Sequence, residues 1–233
     1  MRIVFSWDDG ALEDQRLFEM HEKYEIPGMF FIPTRNREGR KVLSPNMISG
    51  AESKYVKFGG HTDNHVYLTD IPLSAVEKEI VDNKKYLEGI LGHKIKHFCL
   101  PGGRYDPEIL KIVYRHYKTI RTADTMNFVN KSSRLFKPSF HMFNRGKKSL
   151  IGNALRNKSY KAALKVIIHP FLTEFDIYKL IIEQNSKSND KTDIFIWGHS
   201  WELEEYGLWK KVENLMEFIS KGYKDRLVDY DSL

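Results

Sequence analysis

Residues 3–10, with the sequence IVFSWDDG, decide the fold class. The run Ile3–Trp7 is apolar except at Ser6 and has the length of a buried strand. Residues 11–24 follow with the apolar spacing of an amphipathic helix, which we expect to end at Ile26-Pro27-Gly28. A buried strand followed by an amphipathic helix is the repeating unit of a parallel α/β sheet.

The same unit recurs along the chain. Further strands are predicted at Met29–Ile32, Tyr55–Phe58, Ile95–Leu100, Lys118–Thr122, Leu135–Met142, Ile194–Trp197 and Arg226–Asp229. Helices are predicted over 74–89, with Ser74 and Glu77 as a capping box, and over Asp106–His116, Leu150–Val166, Phe171–Gln184 and Trp209–Ser220. Six to eight such units favour a closed or nearly closed barrel over an open doubly wound sheet. No linker or repeat divides the sequence, so we expect one domain over residues 1–233.

Composition argues against several classes of protein. Hydrophobic residues make up 41% of the chain, which argues against disorder. No apolar run approaches the roughly 20 residues that cross a bilayer, so we expect no membrane span. The amino terminus lacks the apolar segment of a signal peptide, which predicts a cytoplasmic protein. Cys99 is the only cysteine, so no intrachain disulfide can form.

The net charge of +6 would suit an anionic partner, but the sequence favours a simpler interpretation. The 37 Lys and Arg residues are spread along the chain, and their densest groups are pairs such as Lys147-Lys148. That pattern is typical of solvated helix faces, so we expect no nucleic-acid partner. The sequence also lacks the glycine-rich loops that bind nucleotides.

Four polar groups each follow a predicted strand. The first is Asp8-Asp9-Gly10, after Ile3–Trp7. Two adjacent carboxylates at the end of a buried strand repel each other unless a cation or a proton lies between them. Adjacent strand residues point to opposite sides, so one carboxylate can bind a metal while the other faces elsewhere. The alternative is that Asp8 or Asp9 caps the following helix, and on this pair alone the two interpretations carry equal weight.

The second group contains His61 and His65, again just after a strand. Histidines four residues apart on a helical turn share a face and can share a cation. With nine histidines in the chain this pair is weak support by itself. Combined with the aspartate pair, it predicts a site of two histidines and one carboxylate with open positions for water and substrate. Non-haem iron oxygenases use the same ligands, but on an all-β fold.

The third and fourth groups suit substrate and transition-state contacts. The turn Pro101–Arg104 has backbone N–H groups that can form an oxyanion hole, although for this segment alone a plain loop is the stronger interpretation. His199 follows the strand Ile194–Trp197 and lies between Trp197 and Trp201. A lone histidine there is more often structural, but the flanking tryptophans are typical of a pocket that binds sugar rings.

In this order the four groups resemble the motifs of the polysaccharide deacetylase (NodB-homology) family. Residues 6–10, SWDDG, resemble its T-F-D-D-G motif, and residues 61–65, HTDNH, resemble its H-S/T-x-x-H motif. Residues 98–103 resemble its proline-glycine motif, and the strand ending at His199 resembles its final histidine motif. The resemblance covers nearly the whole chain. It implies a distorted α/β barrel of about seven parallel strands with the active site at their carboxyl ends.

The resemblance also implies the metal site and the reaction. Asp9, His61 and His65 would bind one divalent cation, most commonly Zn²⁺, with Co, Ni or Mn as alternatives. Family members are carbohydrate N-deacetylases, so the substrate would be an N-acetylated sugar or glycan, more plausibly a nucleotide- or lipid-linked precursor than a wall polymer. The alternatives are a related C–N amide hydrolase and a catalytically silent carbohydrate-binding protein. The sequence leaves the oligomeric state open.

The same resemblance assigns the remaining roles. Asp8 would be the general base and His199 the general acid. Gly102 and Gly103 would hold the oxyanion. The remaining candidates, for substrate contacts or for tuning the site, are Arg104, Trp201, Asp124 and Glu202.

Two departures from the family pattern concern groups that would tune the catalytic residues. The family often has an arginine, which orients the base, where this chain has Cys99, and Arg104 is a candidate substitute. An aspartate that tunes the acid histidine is also not evident, and Asp124 is a candidate for it. Residues 132–171 are expected to shape the substrate groove, with His141 or His169 reaching into it.

Overall fold

The computed structural model describes residues 1–128, 134–188 and 192–233. Its strands are β1 (Arg2–Asp8), β2 (Gly28–Ile32), β3 (Val56–Gly60), β4 (His97–Cys99), β5 (Thr119–Arg121), β6 (Leu135–Phe136), β7 (Phe140–His141) and β8 (Asp193–Gly198). All are parallel and form one curled sheet in the order β6-β5-β4-β3-β2-β1-β8-β7. The predicted α/β barrel is confirmed as a half-barrel, with eight strands in the described residues rather than about seven.

The helices lie between the strands. In the described residues they are α1 (Asp14–Tyr24), α2 (Pro45–Ala51), α3 (Leu73–Leu91), α4 (Pro107–His116), α5 (Lys147–Arg156), α6 (Tyr160–Ile168), α7 (Glu174–Ser186), α8 (Ser200–Glu205) and α9 (Trp209–Gly222). None of these helices is long and apolar enough to cross a membrane.

β1 lies between β2 and β8, which explains why its sequence is apolar almost throughout. Ile3, Phe5 and Trp7 belong to the large core cluster that the helices cover. Val4 belongs to a smaller cluster on the opposite face of the sheet, where side chains of β2, β4, β6 and β8 also meet. Because side chains alternate along a strand, Asp8 points to the same face of the sheet as Val4, and Trp7 points to the opposite face.

Two sequence predictions about strands are corrected. The predicted strand Leu135–Met142 is two short strands, β6 and β7, because Pro138 between them has no N–H to continue a ladder. Arg226–Asp229 is not a strand, since only a single bridge joins Leu227 to Ile3.

The helix predictions also need correction. The predicted helix Leu150–Val166 is interrupted after Arg156 by Lys158, which has a positive φ of 57°, so α5 and α6 are separate. The N-cap of α3 is Pro72, not Ser74, and no side chain caps that helix. Sequence reasoning missed α2 and α8. The start of α4 is confirmed, because the Asp106 side chain accepts a hydrogen bond from Ile109 N.

Candidate active site

The four polar groups meet at one edge of the sheet because the carboxyl ends of parallel strands lie together. They line a cavity of about 440 Å³. Its walls comprise Asp8, Asp9, Glu38, Arg40, His61, His65, Tyr67, Gly102, Ala123, Arg145, Trp197, His199 and Trp201. The cavity thus contains the predicted Asp pair, the His pair, one glycine of the third group and His199 with Trp201.

The aspartates do not act as helix caps. The helix after β1 begins at Asp14, and its N-cap, Glu13, makes no side-chain cap bond. Asp9 instead has a left-handed backbone with φ of 77°, a conformation that costs free energy and occurs often at functional sites. His65 shares it with φ of 52°. Both bends turn buried side chains into the cavity.

Asp9, His61 and His65 converge on one point. His65 Nε2 lies 2.9 Å and His61 Nε2 3.4 Å from Asp9 Oδ1. Burial raises the pKa of Asp9, but the imidazoles of His199, His61 and His65 lower it well below its ordinary value, so Asp9 is ionised. Asp9 Oδ1 is buried and accepts no hydrogen bond of good geometry from the described residues. One carboxylate oxygen and two imidazole nitrogens within 4.8 Å of one another are a donor set that fits a divalent metal.

Neighbouring groups orient two of these three side chains, His61 and Asp9. His61 Nδ1 lies 2.8 Å from Cys99 O, and because a carbonyl only accepts, Nδ1 carries the proton. The lone pair of His61 Nε2 therefore faces Asp9, as metal ligation requires. Trp201 Nε1 donates to Asp9 Oδ2 at 2.9 Å. Trp201, expected to contact the sugar, thus also holds Asp9 in place.

Asp8 lies on the other face of β1 and pairs with Arg121, a residue that sequence reasoning missed. Arg121 ends β5, is fully buried, and donates from Nη2 to Asp8 Oδ1 and from Nη1 to Thr122 O at 2.7 Å. The candidate substitute Arg104 is exposed and lies 3.7 Å from Asp70, so the expectation that it stands beside the base is wrong. An arginine inside an otherwise buried predicted strand was the available signal for Arg121.

Cys99 contacts the same carboxylate. Its Sγ lies 3.5 Å from Asp8 Oδ2. Burial raises the pKa of the Cys99 thiol well above its ordinary value, so the thiol stays neutral. The neutral Cys99 thiol therefore occupies the position where the family often has an arginine. The positive charge beside Asp8 comes instead from Arg121 on the neighbouring strand.

His199 is held by Glu202. Its Nδ1 lies 2.7 Å from Glu202 Oε2. Burial lowers the pKa of His199, but the carboxylates of Asp9, Glu202 and Asp8 outweigh burial and raise it to about 9. Asp124 instead accepts from Thr122 Oγ1 at 2.5 Å, so the carboxylate bonded to His199 is Glu202 and the expectation for Asp124 is wrong.

His141 is a second histidine on Glu202. Its Nε2 lies 2.9 Å from Glu202 Oε2, and Arg145 Nε donates to its Nδ1 at 2.8 Å. Its ring stacks on Trp197 with centroids 4.0 Å apart. Burial lowers the pKa of His141 to about 4, so its ring is neutral where it lies beside Glu202. His141 is buried behind Glu202 and is not among the cavity walls, so it does not reach into the groove as expected.

Two further sequence expectations have mixed outcomes. Residues 132 and 133 of the predicted groove segment lie outside the described residues, and His169 follows α6, away from the cavity walls. In the third group, Gly103 N already donates to Leu100 O at 2.8 Å, so it is not an oxyanion donor. Gly102, with φ of 60°, lines the cavity, and a Cβ there would meet the Tyr67 ring at 2.6 Å.

With this geometry in view, the chain can be compared with known proteins. The family model for polysaccharide deacetylases matches residues 1–119, just over half of the chain. The chain belongs to the polysaccharide deacetylase family. A search of curated protein sequences gave no match.

Solved structures share the fold. A family 4 carbohydrate esterase from Streptomyces lividans, in complex with acetate, matches with a TM-score of 0.58 at 12% identity, over 97% of this chain and 88% of that one. A family 4 acetyl xylan esterase from Clostridium thermocellum, in complex with a cobalt ion, gives 0.53 at 12%, over 96% and 84%. A polysaccharide deacetylase from Bacillus cereus gives 0.52 at 19%, over 58% and 46%, so the chain spans about half the length of that protein.

Proposed function

We propose that this polysaccharide deacetylase family member is a metal-dependent hydrolase that removes the acetyl group from an N-acetylated sugar. The observation that carries the proposal is the convergence of a metal-binding triad, a carboxylate base and a histidine acid on one cavity. Asp9, His61 and His65 would hold the cation, with Zn²⁺ as the first choice and Co, Ni or Mn as alternatives. When bound, the cation supplies Lewis-acid polarisation of the acetyl carbonyl and lowers the pKa of water.

Asp8 would act as the general base. Arg121 fixes Oδ1, and Oδ2, which only the weak Cys99 thiol donor contacts, would accept a proton from the attacking water. The water oxygen forms the new bond to the acetyl carbon. Gly102 would supply a backbone N–H to the oxyanion, a contact whose loss typically costs about 10²–10³ in rate.

His199 would act as the general acid. Glu202 holds the ring through Nδ1, so Nε2 faces the cavity 3.9 Å from Asp9 Oδ2. As the C–N bond breaks, the Nε2 proton passes to the departing sugar nitrogen, and acetate and a free amine result. Tyr67 and Trp201 give the cavity aromatic walls on which a sugar ring can stack.

Acetate release from a panel of N-acetyl sugars tests this proposal. We expect the metal-loaded protein to release acetate and free amine in equal amounts. The variant Asp8→Asn should retain metal and lose turnover by about 10²–10⁴-fold. An amine released without acetate would indicate the alternative amide hydrolase. A protein that binds metal and sugar but releases neither product would be the silent carbohydrate-binding alternative, which the complete acid–base set argues against.

A further inference from the structure

Exposed apolar side chains are concentrated in one part of the molecule. Among the described residues, eight large hydrophobic side chains are strongly exposed, and six of them lie between residues 155 and 171. These six are Leu155, Tyr160, Leu164, Ile167, Ile168 and Phe171. Phe171 is 98% exposed, so nothing in the described chain covers it.

Five of these side chains form what we call the α6 face: Tyr160, Leu164, Ile167, Ile168 and, just after the helix, Phe171. The four helical members are spaced i, i+4, i+7 and i+8 and therefore project on one side of α6. The opposite side of α6, with Ala162, Ala163 and Val166, is buried. The helix is thus apolar on two sides, and only one of them has a partner in the described chain.

The segment that contains this face is also the source of the net charge. Residues 147–171 contain six Lys and Arg residues and no Asp or Glu. In the rest of the chain 31 basic residues balance 31 acidic ones, so this segment accounts for the whole +6. The expectation that the basic residues merely form ordinary solvated helix faces therefore misses a concentration here. Lys161 follows Tyr160, and Lys165 follows Leu164, each by one 100° step around the helix axis. Both lysines therefore border the α6 face.

We infer that the α6 face docks on an anionic lipid surface. Apolar side chains flanked by Lys and Arg, with no acidic residue among them, are the chemistry of a helix that lies in a membrane interface. The apolar tips enter the acyl boundary while the lysines contact lipid phosphates. Docking of a second copy is disfavoured, because a two-fold contact would bring two segments of this charge against each other.

Helices α5 and α6 connect the α6 face to the active-site region. Arg145 lines that cavity and also an adjoining polar cavity of about 210 Å³, which Asn153 and Arg156 of α5 line as well. Since α5 packs on α6, these two helices join the α6 face to the active-site region. Resting on the proposed function, docking there would favour an N-acetyl sugar that is itself held at the surface by a lipid.

Vesicle sedimentation of the full chain tests the inference. We expect binding to phosphatidylcholine vesicles that contain phosphatidylglycerol, and little binding to phosphatidylcholine alone. The double variant Ile168→Ser/Phe171→Ser should weaken binding by at least about tenfold, and Lys165→Glu by about fivefold or more. Leu73→Ser, which alters an exposed apolar residue elsewhere, is the matched control and should bind as the unmodified protein does.

Three outcomes would overturn the inference: no binding to anionic vesicles, an equal loss in the Leu73→Ser control, or a dimer in sedimentation that Phe171→Ser dissociates. Acetate release from a water-soluble N-acetyl sugar, measured on the same samples, separates the two proposals. Vesicle binding without acetate release would retain the lipid surface and remove the proposed function. Acetate release without vesicle binding would do the reverse.

Discussion

The mouth of the half-barrel and the α6 face depart from ordinary folding rules in opposite directions. At the mouth, Asp8, Asp9 and Arg121 are charged groups that the fold buries. On α6, side chains such as Phe171 are apolar groups that the fold exposes. Each arrangement is unfavourable for the isolated chain, because buried charges lose hydration and exposed apolar surface orders water. The two proposals made above account for both: a cation and a sugar would bind at the mouth, and a lipid surface at α6.

The largest expected effect separates the two neighbouring aspartates at the mouth. Asparagine has the shape of aspartate and also tolerates a positive φ. The variant Asp9→Asn therefore removes only the negative charge that faces His61 and His65. We expect bound metal to fall to near zero and acetate release to fall by at least about 10³-fold. Elemental analysis of the purified protein measures the first quantity. Asp8→Asn is the matched control and should retain metal; equal metal loss in both variants would refute the division of roles.

The second prediction concerns the buried ion pair. Arg121→Met leaves the Asp8 carboxylate buried without its cation, which we expect to lower the free energy of unfolding by about 3–5 kcal/mol. Adding Asp8→Asn to Arg121→Met removes the orphaned charge, so the double variant should recover much of that loss without recovering activity. Urea unfolding of the two single variants and the double variant forms the cycle. Additive losses would show that the pair is not coupled.

One buried polar group away from the mouth has partners within the protein for both of its ring nitrogens, and so differs from the charged groups at the mouth. His21 is fully buried away from the mouth, accepts from Trp7 Nε1 at 2.7 Å and lies 2.7 Å from Ile26 O. Burial lowers its pKa from the ordinary 6.5 to about 4. Between these values the unfolded chain binds a proton that the folded protein does not, so stability is full above pH 6.5 and falls by about 3 kcal/mol as the pH drops to 4.

Urea unfolding at pH 7 and at pH 4.5 checks this prediction. In His21→Gln, which cannot titrate, the loss between the two pH values should be smaller than in the unmodified protein by most of that amount. An identical loss in both proteins would show that His21 is not the group that responds.

The smallest effect is expected on the α6 face. Leu164→Ser and Ile167→Ser alter side chains that are more than half exposed, so the free energy of unfolding should change by no more than about 1 kcal/mol. Val166→Ala, one residue away on the buried side of the same helix, should cost about 1–2 kcal/mol. Chemical unfolding of these variants makes the comparison. A large loss in Leu164→Ser would mean that the α6 face is covered in the folded protein.

The sequence by itself determined the parallel α/β architecture and predicted three of the side chains that meet at the mouth. Ile3–Trp7 predicted β1, and Asp9, His61 and His65 were found because each follows a strand within a short motif. Local patterns suffice there, since apolar runs predict the strands, and the carboxyl ends of parallel strands lie together at one edge of the sheet.

Only the tertiary structure decided which groups tune the site and which apolar residues stay uncovered. Arg121 lies 113 residues from Asp8, and nothing near either residue in sequence marks the other as its partner. Glu202, rather than Asp124, holds His199 because α8 begins directly after β8 and turns that carboxylate back. The α6 helix has apolar residues on both sides, and packing alone selects the side that is buried. These outcomes depend on contacts between distant parts of the chain, which a local sequence pattern does not contain.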